Sequence, residues 1–517
     1  MNGADLLCDV LLANGVDTCF ANPGTSEMHV VAALDRKPRM RCVLGLFEGV
    51  VTGAADGYAR MADKPAATLL HLGPGLANGL ANLHNARRAH TPIVNIVGDH
   101  ASYHLQYDAP LTSDIESLAR PMSNWLGRVG GTDDIRDKAE QAYVSAVMHP
   151  GISTLILPAD AAWSAATDQT IHPVRVPDRP QADSVMVRKA ASALRGARGR
   201  TALILGGDAM RADALETAGR ISAGTGAALF TDRTARWQRG AGRVSPTPVP
   251  YNIDLAIAAF REFQTVILVG GRIPVGFFAY PGKPSILLPE GCAVIDMAGP
   301  EHDLKEALAL LAEETGTSDT APTGISAFTA SALDAPEGAL DADAISIALA
   351  RVLPEGSIIC DESITSRGRL AAVAPTMAPH DYLPITGGAI GIGIPLATGA
   401  AIACPGRKVV ALQADGSGMY TVQGLWTQAR ERLDVLTIVF SNRGYSILKG
   451  EMRNVGVNDF GRNARRMLEI DDPTLDWCAL ANGMGVEAAR AETAEAFVRV
   501  LDEGLSRPGP FLIEAMI

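Results

Sequence analysis

Strand-length apolar runs alternate with stretches of helical periodicity along the whole chain, and that alternation restricts the possible folds more than any other feature. TVILVGG (265–271), KVVALQA (408–414) and DVLTIVFS (434–441) are examples of the runs. Such a rhythm implies an α/β chain of doubly wound parallel sheets wrapped by helices. Two segments interrupt it. Residues 168–185, DQTIHPVRVPDRPQADSV, are rich in proline and polar residues, and residues 313–343 carry few large apolar side chains. Both read as linkers. They divide the 517 residues into three units: an N-terminal domain (1–167), a middle domain (186–313) and a C-terminal domain (341–517), with linkers at 168–185 and 314–340. Three units also suit the length, at about 150 residues per domain.

The formal net charge of −12 argues against a nucleic-acid partner or an anionic membrane surface, either of which needs a basic face. The apolar runs are far shorter than the roughly 20 residues that span a bilayer. No charged-then-apolar leader opens the chain, so a cytoplasmic location is expected. Seven scattered cysteines with no CxxC pair read as small buried hydrophobes, not as a disulfide framework or a zinc site.

Chemistry concentrates in the C-terminal part. The run KVVALQA ends in Asp415-Gly416-Ser417, and the next run, DVLTIVFS, ends in Asn442-Arg443-Gly444-Tyr445. Carboxyl ends of neighbouring parallel strands share one sheet edge, where open α/β folds bind ligands. Asp415 and Asn442 are therefore expected to meet. A carboxylate, an amide oxygen and a nearby backbone carbonyl are hard ligands suited to magnesium. Ser417 opens the following helix, whose free N–H groups suit a phosphate. Taken together these residues read as a magnesium-diphosphate site. A simple turn is the competing reading of Asp-Gly-Ser alone. The glycine-rich stretch TGGAIGIGIP (386–395) has its glycines in the reverse order of the dinucleotide fingerprint and no acidic residue about 20 positions later, which disfavours a nicotinamide-dependent dehydrogenase.

In the N-terminal part, VLGLFEGVVTGAADGYARM (43–61) sets one carboxylate, Glu48, at a strand-to-helix junction. Val43, Leu44, Leu46 and Phe47 read as the end of a buried strand. Glu48 is either a first-turn acid favoured by the helix dipole or a functional carboxyl shielded from water.

ADGS followed by SNRGY resembles the thiamine-diphosphate signature, and EGVVTGAADGYAR resembles the glutamate helix of the same superfamily. In order along the chain the similarity covers a pyrimidine-binding, a middle and a diphosphate-binding domain, as in pyruvate decarboxylase, benzoylformate decarboxylase and acetohydroxyacid synthase. Ala414 and Ser441 stand where the signature usually has Gly and Asn, and neither position supplies a metal-ligand side chain. The resemblance implies that Asp415, Asn442 and the Gly444 carbonyl hold magnesium. It places Gly416, Ser417, Tyr420, Tyr445 and Thr365 near the diphosphate, the Gly388 carbonyl against the exocyclic amine, and Ile390 under the bend between the rings. Glu48 would then hydrogen-bond a nitrogen of the aminopyrimidine, a contact that needs shielding from water. In relatives this glutamate serves the diphosphate site of another subunit, so a homodimer at least, and a homotetramer as the fuller assembly, is expected.

FANPGTSEM (20–28) and residues 69–100 are most similar to the benzoylformate decarboxylase branch. Thr25 stands where that branch has a serine contacting the substrate carboxylate, and His71 matches a proton-relaying histidine. A second catalytic histidine of that branch would fall near Phe277 or Phe278, and phenylalanine moves no proton. His100 and His104 are then candidates for part of that work, with surface loop residues as the alternative. The two phenylalanines would wall an apolar pocket or simply pack in the core. The resemblance implies non-oxidative decarboxylation of a small-molecule 2-oxo acid to an aldehyde. An acetolactate synthase-like carboligase is the main alternative, and a non-catalytic thiamine-diphosphate-binding protein a further one. The segment after Gly98 lacks the glutamine-rich pattern of the synthase, and the middle domain shows no clear flavin motif.

Overall fold

The computed structural model describes residues 1–167, 170–197 and 199–517. The expected first linker begins at 168 and 169, which lie outside the described residues. The fold is α/β throughout, built on three sheets.

The first sheet has six parallel strands in the order Arg41–Leu44, Thr18–Asn22, Ala66–Leu70, Ile93–Asp99, Ile152–Pro158 and Trp125–Arg128. The second is parallel with five: Thr247–Pro248, Ala228–Thr231, Thr201–Leu205, Thr265–Val269 and Ala293–Ala298. The third runs Glu487–Ala491, Phe511–Met516, Val435–Ser441, Val409–Ala414, Ile358–Glu362 and His380–Pro384, all parallel, and closes with Trp237–Arg239. This last strand comes from the middle segment and pairs antiparallel with His380–Pro384. The expected domain limits contain no hint of that crossover.

Two positions in these sheets are switch points, where the chain leaves adjacent strands in opposite directions and opens a crevice at their carboxyl ends. One lies between Thr18–Asn22 and Ala66–Leu70. The other lies between Ile358–Glu362 and Val409–Ala414.

The helix Glu48–Ala62 packs between sheets, with 14 of its 15 residues buried. It crosses the apolar helix Gly393–Ala403 at backbone contact. A Cβ at Gly57 would lie 2.1 Å from the Leu396 carbonyl oxygen, and one at Gly399 would lie 1.8 Å from that of Ala54. Only glycine permits that approach. Arg60, paired with Asp56 at 2.5 Å in the interior, donates to the carbonyls of Ala235 and Pro384. One guanidinium thus joins this helix to the third sheet and to the loop that leads into its last strand. One local expectation is corrected here: the strand ends at Leu44, and Leu46 is 46% exposed. The approach to Glu48 is a bend at Gly45, whose amide donates to the Ala21 carbonyl.

Candidate active site

The crevice at the first switch point gathers the N-terminal candidates. Thr25 begins a short 3-10 turn just after Thr18–Asn22, and His71 follows Ala66–Leu70. Thr25, Ser26, His71, His100 and His104 line one cavity of about 350 Å3. Glu27, unread as a site residue in the sequence, stands behind it and is 1% exposed. Its Oε2 lies 2.7 Å from His71 Nδ1 and accepts the Gly24 amide at 2.8 Å, while Oε1 accepts from Ser26 Oγ at 2.6 Å. A carboxylate on Nδ1 fixes the tautomer and leaves Nε2 as the nitrogen able to exchange a proton. Glu27 fits only because position 98 is glycine: a Cβ there would lie 1.8 Å from Glu27 Oε1. An acid three residues after Asn22-Pro-Gly looks like turn chemistry in sequence, and its burial is set by partners far along the chain.

Glu48 is the first residue of its helix and 7% exposed. Asn78 Nδ2 donates to its Oε2 at 3.0 Å. A Cβ at Gly75 would lie 3.1 Å from Glu48 Oε1 and 3.3 Å from His71 Cβ, so the glutamate and the histidine flank one glycine. The simple first-turn acid is therefore the poorer description, because a dipole-stabilised surface carboxyl does not need this enclosure. His100 and His104 sit with ring centroids 5.6 Å apart. His100 Nε2 is buried without a hydrogen-bond partner among the described residues, whereas His104 is exposed.

The second switch point gathers the C-terminal candidates. Asp415 is 2% exposed. Its Oδ1 accepts the Gly416 amide at 2.8 Å and its Oδ2 the Arg443 amide at 2.7 Å. Burial raises its carboxyl above the ordinary value, opposed by those amides. It makes no ion pair with a cationic side chain among the described residues. Asn442 Oδ1 accepts the Gly444 amide at 3.0 Å, and its Nδ2 donates to Ser366 Oγ at 3.4 Å, next to Thr365. Ser417 is buried at the start of the helical turn Asp415–Gly418. Tyr445 covers Gly416, where a Cβ would lie 2.6 Å from its ring. A buried carboxylate with no cationic partner, beside an amide and a backbone carbonyl, is a donor set that fits a hard divalent cation.

The turn 386–393 lies over this group. Gly388 has φ +78, and Phe277 packs on it, with ring Cζ 2.6 Å from where a Cβ would sit. Tyr420 packs on Gly391 in the same way. Ile390 is half-buried on this turn. Phe277 therefore forms an apolar wall beside Gly388, with Phe278 edge-on to it and Tyr251 tilted against it at ring-centroid distances of 4.9 and 5.6 Å. Lys449 is occupied by Glu469 at 3.3 Å, and Arg453 lies over the ring of Phe460.

A separate cavity of about 700 Å3 opens between the middle segment and its neighbours. Arg88, Arg211, Arg233 and Arg272 line it, together with Gly206 and Gly270 at the ends of Thr201–Leu205 and Thr265–Val269.

Known proteins resemble this chain along its whole length. Residues 1–118 match the thiamine pyrophosphate enzyme N-terminal binding domain, and residues 366–515 match the corresponding C-terminal binding domain. A Mycobacterium tuberculosis protein, provisionally named acetolactate synthase large subunit IlvX, is 48% identical over all of this chain and 99% of its own length. Benzoylformate decarboxylase of Pseudomonas aeruginosa is 27% identical over 98% of this chain and 97% of its own. The solved thiamine diphosphate-dependent 4-hydroxybenzoylformate decarboxylase of Rhodococcus jostii RHA1 superposes with a TM-score of 0.83 at 22% identity, covering 99% of this chain and 98% of that one. The chain belongs to the thiamine pyrophosphate enzyme family, whose members include both decarboxylases and acetolactate synthases.

Proposed function

We propose that this protein is a thiamine diphosphate- and magnesium-dependent enzyme that decarboxylates a 2-oxo acid and releases an aldehyde. The observation that carries the reading is the pairing of an enclosed Glu48 with the Glu27–His71 dyad in one crevice. A protein that only bound the cofactor would need neither the shielded acid nor an oriented imidazole.

When bound, thiamine diphosphate supplies the carbon nucleophile and electron sink that decarboxylation requires. Asp415, Asn442 and the Gly444 carbonyl would hold magnesium, and Ser417, Tyr420 and Thr365 would lie by the diphosphate. The Gly388 carbonyl and Ile390 would seat the two rings. Glu48, shielded from solvent, would hold a proton at a ring nitrogen of the bound cofactor. The Thr25 hydroxyl orients the substrate carboxylate. His71 Nε2 donates or takes a proton at the reacting carbon, with Glu27 stabilising the imidazolium.

The cavity that holds Thr25 and His71 is lined by N-terminal residues alone, and Asp415 and Asn442 are not among them. The family resemblance supports an assembly of at least two copies, with one copy's Glu48 completing another's diphosphate site. The 48% identical relative favours a second reading, an acetolactate synthase-like carboligase joining two 2-oxo acids. Product analysis with aromatic and aliphatic 2-oxo acids separates the two: aldehyde supports the decarboxylase, and a 2-hydroxyketone or acetolactate-type product the ligase. A flavin absorption band in the purified protein would also favour the ligase, and the basic 700 Å3 cavity offers such a group room.

A further inference from the structure

Glu362 and Gln413 are direct cross-strand partners at the carboxyl ends of two adjacent parallel strands, at the second switch point. Both are 0% exposed. Paired residues on parallel neighbours point to the same face of a sheet, and here that face looks toward the glycine-rich turn. Glu362 Oε1 accepts the Gly391 amide at 2.5 Å, and Oε2 accepts the Gly393 amide at 2.6 Å. Gln413 Nε2 donates to Glu362 Oε2 at 3.1 Å and to Ser417 Oγ at 2.7 Å. A single chain of hydrogen bonds therefore runs from the turn, through two buried side chains, to the start of the Asp415 helix.

The surroundings leave this chain little freedom. A Cβ at Gly393 would lie 2.4 Å from Gln413 Oε1 and 3.0 Å from Glu362 Cβ. Gly391 has φ +96, and its carbonyl accepts from Thr421 Oγ1 at 2.8 Å and Asn82 Nδ2 at 3.3 Å. The turn is thus held at its amides by Glu362 and at its carbonyl by two other elements. Stability alone does not account for Glu362. A buried carboxyl with no cationic partner is costly, and an apolar residue of similar size would serve the core as well or better. Burial pushes its carboxyl up to about 7 even against the two amide bonds. Gln413 Oε1 is also buried without a partner among the described residues, so the pair is not optimised as packing.

We infer that Glu362 and Gln413 form a buried strut that fixes the turn carrying Gly388 and Ile390 at a set distance from Ser417. Glu362 is then a positioning residue for thiamine diphosphate, which would span from that turn to that helix. The inference rests on the cofactor reading of the site.

The test compares wild type with Glu362→Gln, Glu362→Leu and Gln413→Met. It measures the thermal midpoint without cofactor and the Kd for thiamine diphosphate with magnesium by calorimetric titration. Glu362→Gln keeps the size but offers one acceptor where two amides need two. The expected result is that Glu362→Gln and Glu362→Leu unfold within a few degrees of wild type yet bind at least about tenfold more weakly, the scale of one lost charge-assisted hydrogen bond. Gln413→Met, which cuts the link to Ser417 and leaves both amide bonds, is expected to weaken binding in the same direction. It decides the matter if the Glu362 variants fail to fold. Folded variants with wild-type Kd would overturn the strut alone. A wild-type protein that binds no thiamine diphosphate would overturn the cofactor reading itself.

Discussion

At the scale of single residues, the site depends on carboxyl groups whose neighbours decide what they do. Glu48 was legible because an acid stood among apolar residues next to a small-residue helix. Its enclosure by Asn78 and the Gly75 backbone was not legible, since those contacts come from a helix about 30 positions on. Glu48→Gln is expected to keep the thermal midpoint and lose at least about 100-fold in turnover, the usual scale for a proton-transferring group. Near-normal turnover would remove Glu48 from the mechanism. Glu27 escaped sequence reasoning because Gly24, Gly98 and His71 must come together before its burial shows. Glu27→Gln is expected to lower kcat by about tenfold, as part of what general acid–base catalysis contributes, and to change the pH profile of kcat. A lower thermal midpoint with an unchanged profile would make Glu27 purely structural.

At the scale of elements, alternation identified the strands and the ligand-binding sheet edge, because period and strand length are written locally. The helix crossing at Gly57 and Gly399 was not visible, since nothing in either helix names its partner. Gly399→Ala forces a methyl against the Ala54 carbonyl, and overpacking of this kind costs about 1 to 3 kcal/mol. A fall of several degrees in the thermal midpoint is expected, and an unchanged midpoint would contradict the crossing. The strand Trp237–Arg239 was also unread: three residues carry no period, and their partner lies about 140 positions away. That strand covers His380, which is 1% exposed and donates from Nδ1 to the Ala378 carbonyl at 2.8 Å. Burial and the charge of Arg239 depress its imidazole to about 3. A depressed histidine contributes stability that is present above its unfolded value near 6.5 and is lost as the pH falls toward 3. Wild type should therefore lose thermal stability between pH 7 and pH 5 more steeply than His380→Gln. Parallel slopes would show that the imidazole titrates normally.

At the scale of the whole molecule, the two switch points place Glu27, Glu48 and His71 in a crevice on the first sheet and Asp415, Ser417 and Asn442 in one on the third. No described helix is long and apolar enough to cross a membrane. A diphosphate site completed by another copy's Glu48 would make activity depend on association. Sedimentation alongside assay should show turnover per chain falling on dilution into monomer, and a fully active monomer would contradict the shared site. The sequence motifs mark both crevices, but not which 2-oxo acid enters. Tyr103 and Trp163 line the cavity of the first crevice and Phe277 packs on Gly388, and these positions depend on packing, not on motif. The most direct measurement is carbon dioxide release from a panel of aromatic and aliphatic 2-oxo acids, with and without thiamine diphosphate and magnesium, with each product identified by chromatography. The expected result is aldehyde and carbon dioxide in equal amounts, and only when both cofactors are present. Firm cofactor binding with no carbon dioxide from any acid would contradict the account.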